Sequence, residues 1–319
     1  MELFDKNILF LIDKELNRYL EGEGTIYKAS RHLLLAGGKR IRPYLTILTY
    51  MLKRDDIEEV LPAALAVELI HNYTLIHDDI MDNDDRRRGI PTVHIVYGKP
   101  MAILAGDLLY AKAFVAVSDI RDPEKAHEVL KVLSKSCVDV CVGQAMDMEF
   151  EKREDITMEE YLEMISKKTG ALLVTSVEIG AIMGECSSEE REALREYAKR
   201  IGLAFQIQDD ILDLVGNKNK IGKPIGSDIR EGKKTLIVIH ALQHLPEDKK
   251  KRLLDILGKR DAEDEEIKEA IEILKDSIEF AREMVKKYIT ESKEYLKIFD
   301  KKRRKKLEDI ADFIMERVY

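Results

Sequence analysis

Two acidic pentads are the residues best suited to chemistry in this 319-residue chain. Asp78-Asp79-Ile80-Met81-Asp82 follows Leu75-Ile76-His77, and Asp209-Asp210-Ile211-Leu212-Asp213 follows Gln206-Ile207-Gln208. Each reads DDxxD. On a helix, residues four apart share a face, so Asp78 and Asp82 project together, as do Asp209 and Asp213. Carboxylates stacked in this way repel one another and resist burial unless a cation neutralises them. Oxygen-rich sites of this kind suit Mg²⁺, which keeps several waters and is shared with substrate phosphates. Two such sites facing each other would clamp a diphosphate. A lone DDxxD is often only a solvated helix face. Here Leu75, Ile76, Ile80, Ile207, Ile211 and Leu214 surround both copies, which a solvated face does not explain.

Cations stand near these motifs. Gly37-Gly38-Lys39-Arg40-Ile41-Arg42-Pro43 ends one predicted helix and starts another. A left-handed helix stop explains the glycines, and a first helical turn explains Pro43. Neither explains three cations in four residues; Lys39 and Arg42 are candidates for phosphate oxygens, Arg by a bidentate fork. Arg86-Arg87-Arg88-Gly89 begins just after the first pentad and could close around the same anion. His71 lies two turns before Asp78 on the same face, a placement that favours a polar contact to substrate. Lys167-Lys168-Thr169-Gly170, Gln206, Gln144 and Asp147 are weaker signals taken singly.

The elements that must carry these groups read as helices throughout. Apolar residues recur at three- and four-residue spacing, as in Leu45-Leu48-Leu52 and Ile271-Leu274-Ile278, and strict alternation is nearly absent. The pattern predicts an all-α chain. Long helices are expected over 57–82, 123–151, 157–182, 188–214 and 264–296, with polar loops at 83–100 and 216–233 following the two pentads. No Pro-, Gly- or Ser-rich linker divides the sequence, so one domain over 1–319 is expected. The net charge of −8 argues against a general nucleic-acid binder. Three cysteines are too few for a disulfide framework and fit a reducing cytoplasm. Asp5, Lys6, Asp13 and Lys14 interrupt the N-terminal apolar residues, against a secretory signal. No unbroken run of 18 apolar residues occurs, so no membrane span is expected.

Taken together, the motifs resemble those of the trans-isoprenyl diphosphate synthases, the short-chain prenyltransferases, and look most like an archaeal geranylgeranyl-type member. The resemblance rests on Gly37–Pro43, the first pentad with Arg87-Arg88-Gly89, Gly143-Gln144, Lys168-Thr169-Gly170, and Phe205–Gln208 with the second pentad. Gly222-Lys223 and Gly232-Lys233-Lys234-Thr235 complete the set. It implies a bundle of long helices around a central active-site cavity, the pentads facing each other across its mouth, in a homodimer. It further implies that Asp78, Asp82 and Asp209 coordinate about three Mg²⁺ ions, or Mn²⁺, with Asp79, Asp210 and Asp213 supporting. Arg87, Lys168 and Lys223 would hold the allylic diphosphate, with Lys233 nearby. Lys39, Arg42, His71 and Arg88 would hold isopentenyl diphosphate without metal. Thr169 and Gln206 would help to stabilise a carbocation.

The implied reaction is head-to-tail (1′-4) condensation of isopentenyl diphosphate with C5, C10 or C15 allylic diphosphates. Tyr73 and Thr74, five and four residues before Asp78, match the family's chain-length positions and resemble a C20 pattern, with C15 or C25 as the alternative product. Helical spacing alone would not single out Tyr73, which lies about 140° around an ideal helix from Asp78. A terpene cyclase would not need the Lys39/Arg42/His71/Arg88 set, and an inactive regulatory subunit would be expected to have lost one pentad.

Overall fold

The computed structural model describes residues 4–153, 155–216 and 225–316. They are helical almost throughout, as the apolar periodicity predicts. The chain forms two compact units: Met1–Cys137 with Leu172–Arg195 and Lys297–Leu307, and Val138–Ala171 with Glu196–Leu296 and Glu308–Tyr319.

In the first unit, α1 (Lys6–Tyr19), α2 (Thr25–Leu35) and α3 (Ile41–Tyr50) lead into α4 (Ile57–Met81). Asp56 caps α4 by accepting from the Glu58 amide, and Glu58 and Glu59 complement the helix dipole in its first turn. The 25 residues of α4 span about 37 Å. Val60, Leu61 and the whole of Ala63–Ile70 are buried, so α4 is apolar all round, as a core helix must be. It ends at the first pentad, and Asp82 is its C-cap. The stretch expected as a polar loop over 83–100 contains a two-residue hairpin, β1 (Arg86–Arg87) with β2 (Ile90–Pro91), and a short helix α5 (Val93–Tyr97). Arg88 and Gly89 turn the hairpin with φ of 52° and 77°, the positive pair that a type I′ turn requires. Helix α6 (Lys99–Ser118) then packs along α4 and α2. It starts earlier than an apolar reading suggests because Pro100 suits a first turn. By length and composition α6 alone, among the described residues, could cross a bilayer; Asp107 and Lys112 interrupt its apolar sequence.

Helix α7 (Pro123–Phe150) carries the chain into the second unit, which holds α8 (Met158–Ile165), where Thr157 and Glu160 form a capping box. The single helix expected over 157–182 is interrupted by a π-turn at Ser166–Gly170 before α9 (Ala171–Met183). Helix α10 (Ser188–Val215) bears the second pentad on its last turns. Then follow α11 (Ser227–Glu231), α12 (Leu236–His244), α13 (Glu247–Ile256), α14 (Asp264–Ile273), α15 (Lys275–Tyr295) and α16 (Lys301–Glu316). The helix expected over 264–296 breaks at Leu274, whose backbone (φ −81°, ψ −3°) lies at the edge of the helical region and caps α14.

Candidate active site

In the first unit the first pentad and the cations gather at the end of α4. Asp79 is 1 % exposed. Arg87 donates to its Oδ1 through Nε, and lies 3.9 Å from Asp78 Oδ2 and 3.7 Å from Asp84 Oδ2. Burial raises the Asp79 carboxyl above its ordinary range, against the pull of Arg87. Asp79 Oδ2 is buried with no hydrogen-bond partner.

Beside this, Arg42 Nη1 lies 3.0 Å from His71 Nε2. A guanidinium only donates, so His71 accepts at Nε2 and is a neutral imidazole protonated at Nδ1. Burial, followed by Arg42, Arg88, Arg87 and Arg40, holds its pKa well below the ordinary 6.5. Arg88 donates to the carbonyls of Leu33, at 3.1 Å, and of Gly37, which ties the hairpin to the glycine turn. Arg40 is paired with Glu68 and Arg87 with Asp79, while Arg42 and Arg88 stand close enough to bear on the neutral imidazole, and an anion bound beside them would relieve their mutual repulsion. Lys39 is exposed at the rim of the same turn. Thr74 Oγ1 donates to the His71 carbonyl at 2.8 Å. The Tyr73 ring packs 4.7 Å from His77 and 5.2 Å from Tyr110, which meets Phe114 at 4.9 Å.

The His71 shift has a consequence for pH. The unfolded imidazole binds a proton near pH 6.5 while the folded one resists it, so the unfolded state holds more protons just below that pH. Stability is therefore retained above pH 6.5 and falls as pH drops beneath it, by at most about 1.4 kcal/mol per pH unit. His71→Gln is expected to flatten this slope in thermal melts between about pH 6.5 and 5. Parallel slopes for variant and parent would contradict it.

In the second unit the π-turn presents Lys168 and Thr169 to α7 and α10. π-turns need a local reason, and here it is close backbone approach. A Cβ on Gly143 of α7 would stand 2.3 Å from the Lys168 amide nitrogen, and one on Gly202 of α10 would stand 3.1 Å from Gly170 Cα. Lys168 pairs with Asp147. Thr169 Oγ1 donates to Gln206 Oε1 at 2.8 Å, and Gln206 Nε2 donates to Asp210 Oδ1 at 2.9 Å. Tyr161, fully enclosed, donates to the other Asp210 oxygen. Asp213 accepts from the Ser227 hydroxyl and the Asp228 amide. Burial and then Asp228 push the Asp213 carboxyl up to about 7, and the same two causes raise Asp210 well above the carboxylate range. Burial works against the Lys233 charge, but Asp228 and Glu231, 3.4 and 2.8 Å away, more than reverse this. A cleft is lined by Asp147, Tyr161, Lys168, Gln206, Asp228 and Lys233.

The structure thus groups Arg42, His71, Arg87 and Arg88 with Asp78 and Asp79, and separately groups Lys168, Thr169 and Gln206 with Asp210. Lys223 lies outside the described residues. Tyr161, Asp228 and Arg40 did not stand out in the sequence. Only the seven-residue spacing from Tyr161 to Lys168, two helical turns, hints at the first.

The oxygen-only donor set, the unpartnered Asp79 oxygen and the raised carboxyls of Asp210 and Asp213 fit a hard divalent cation. Among the described residues no three His, Cys, Asp or Glu side chains converge as a ready-made cage.

Comparison with known proteins bears on the same residues. The family pattern described as Polyprenyl synthetase matches residues 23–274. A short chain isoprenyl diphosphate synthase of Methanocaldococcus jannaschii is 74% identical over 317 residues, covering 99% of this chain and 97% of that one. A solved geranylgeranyl pyrophosphate synthetase from Pyrococcus horikoshii superposes with a TM-score of 0.92 at 47% identity, covering 98% of this chain and 97% of that one. A solved polyprenyl synthase from Caulobacter crescentus, complexed with calcium and isoprenyl diphosphate, gives 0.91 at 29% identity, with 98% and 96% covered. Since the family pattern takes in both pentads and the cations between them, and the likeness runs almost end to end, this chain belongs to the polyprenyl synthetase family.

Proposed function

We propose that this enzyme joins isopentenyl diphosphate head-to-tail to allylic diphosphates, giving mainly geranylgeranyl diphosphate (C20) and releasing diphosphate. The observation that carries the reading is the presence of two different kinds of anion centre. Carboxylate pentads suit a diphosphate that arrives with Mg²⁺, whereas the guanidiniums around neutral His71 suit one that arrives without metal. A condensation needs both, and a cyclase needs only the first. The geranylgeranyl pyrophosphate synthetase and the calcium-bound relative support the same reading.

In this reading Asp78, Asp82 and Asp209 hold about three Mg²⁺ ions and Asp79, Asp210 and Asp213 orient them, with Mn²⁺ acceptable to the same oxygens. A metal held there would supply stabilisation of negative charge on the leaving diphosphate. Arg87 and Lys168, with Lys223 and Lys233, add fixed positive charge to the allylic diphosphate. Lys39, Arg42, His71 and Arg88 hold the isopentenyl diphosphate. Thr169 spends its proton on Gln206, so its oxygen lone pairs remain to face a developing carbocation. The C=C bond of isopentenyl diphosphate attacks that cation, and the departing diphosphate takes the proton then lost.

Residues 1–319 act as one catalytic domain in this proposal, in a cytoplasmic homodimer. The outer side of α6 supports the dimer: Ile103, Leu104 and Val115 are 45, 50 and 46 % exposed and lie with Ala111 along one side. Sedimentation equilibrium of the purified chain tests this, and a monomer at all concentrations would count against it.

The function is tested by incubating the chain with radiolabelled isopentenyl diphosphate, Mg²⁺ and each allylic primer, then separating the dephosphorylated products by length. A dominant C20 alcohol is expected. A C15 or C25 alcohol would keep the chemistry and change the product, and no incorporation would overturn the reading. Tyr73 and Thr74 are assigned to product length. Tyr73→Ala, which deletes the ring packed edge-on against His77 and tilted against Tyr110, is expected to lengthen the main product by at least one C5 unit. An unchanged length distribution would remove Tyr73 from that role.

A further inference from the structure

Of the three cations in the glycine turn, one is not presented to solvent at all. The Arg40 side chain is 5 % exposed, and each of its nitrogens is used within the fold. Nε donates to Asp13 Oδ1 on α1 at 2.8 Å, Nη1 to Glu68 Oε1 on α4 at 3.1 Å, and Nη2 to the Leu34 carbonyl on α2 at 2.8 Å. Its backbone sits in the left-handed region (φ 50°, ψ 35°) at the N-cap of α3, a conformation that side chains other than glycine adopt only when held. Glu68, 2 % exposed, is held in turn by Asn72 Nδ2 at 3.0 Å. Gly38 is gripped between two guanidiniums: a Cβ there would meet Arg88 Cζ at 3.1 Å and Arg40 Nη1 at 3.2 Å.

We infer that Arg40 is a positioning residue: locked by Glu68, Asp13 and the Leu34 carbonyl, it fixes the turn so that Lys39, the residue before it, and Arg42, two residues after it, are set for the diphosphate of isopentenyl diphosphate. The inference rests on the assignment of that substrate to Lys39, Arg42, His71 and Arg88. Lys39 and Arg42 leave the chain on either side of the strained residue, so a rotation of the Arg40 backbone moves both. Glu68 balances the Arg40 charge where it is buried, which leaves the turn with a built-in ion pair in place of a further repelling cation. A lysine at 40 keeps the charge but supplies one nitrogen where three donors are spread over three helices.

The experiment is steady-state kinetics of Arg40→Lys with each substrate varied, together with calorimetric titration of isopentenyl diphosphate in the absence of metal. The KM and Kd for isopentenyl diphosphate are expected to rise about 10- to 100-fold, because small misplacements of binding groups have effects of that size. The allylic KM, and kcat at saturating isopentenyl diphosphate, are expected to stay within about 3-fold of the parent. Equal rises in both KM values, or no rise in either, would overturn the inference, since loosening of the whole fold would not select one substrate. If Arg40→Lys does not fold, the paired variant Arg40→Met/Glu68→Met exchanges the buried ion pair for apolar side chains, and the charge that loses its partner, Asp13, is half exposed. It is expected to fold and show the same selective loss, and unchanged isopentenyl diphosphate affinity in it would overturn the inference. A parent enzyme that incorporates no label fails at the function itself, whereas an active parent with an unaffected Arg40→Lys fails only here.

Discussion

Asp78→Asn is expected to lower kcat/KM for the allylic substrate by about 10³-fold with little loss of stability, while its neighbour Asp79→Ala is expected to lose chiefly stability. The two carboxylates are adjacent in sequence and differ in surroundings. The Asp78 side chain is 21 % exposed and Arg87 Nη2 is 3.9 Å away, so solvent and a hydrated metal ion reach it at little cost in desolvation. The amide of Asn keeps the shape and removes only the charge that a metal needs. Asp79 is nearly fully buried and receives the Arg87 guanidinium directly. Removing it leaves Arg87 with the more distant Asp78 and Asp84, and losing one partner of a buried pair costs about 3–5 kcal/mol. Asp209→Asn, on the partly exposed second pentad, is expected to resemble Asp78→Asn. Metal-free titration of isopentenyl diphosphate separates the outcomes. Asp78→Asn should bind it as the parent does, because that site uses no carboxylate of the pentad. A thermal midpoint that falls as far for Asp78→Asn as for Asp79→Ala would contradict the division of roles.

What the sequence displayed and what it hid follow from the range of the interactions concerned. The helices and both pentads were legible because their signals are local: apolar residues every three or four positions, and Asp at i and i+4. That Lys168, Thr169 and Gln206 belong together came from resemblance, and the fold adds that a single hydrogen-bond line joins Thr169 to Asp210 through Gln206. Tyr161 has only its seven-residue spacing to Lys168 to point to it, since it meets Asp210 from 49 positions away. Arg40 was hidden for another reason. Three cations in four residues read alike until the backbone at 40 turns left-handed and sends one of them inward, and local preference argues against that conformation for arginine. The hairpin at Arg88 was missed on the same grounds, a type I′ turn being expected of Asn-Gly and not of Arg-Gly.

The π-turn shows most sharply how packing overrides a local pattern, and Gly143→Ala tests it. Gly143 lies inside α7 with no positive φ to require glycine. By helix propensity alone, alanine there should stabilise the protein by about 1 kcal/mol. Packing points the other way. The new Cβ would stand 2.3 Å from the Lys168 amide nitrogen and 2.7 Å from its Cα, and both are backbone atoms with no rotamer by which to move aside. Overpacking of this kind costs about 1–3 kcal/mol, and a contact this short belongs at the upper end. A net loss of about 1–2 kcal/mol is therefore expected, read as a lower thermal midpoint. The displaced segment carries Lys168 away from Asp147 and Thr169 away from Gln206, so kcat should fall by about 10²-fold, the usual effect of misplacing catalytic groups by an ångström. Gly202→Ala is the graded comparison: its Cβ meets Gly170 Cα at 3.1 Å, a contact that a few tenths of an ångström relieves, and its effects should be smaller in both respects. If Gly143→Ala melts above the parent with kcat intact, helix propensity outweighs the contact, and something other than the approach of α7 holds the π-turn in register.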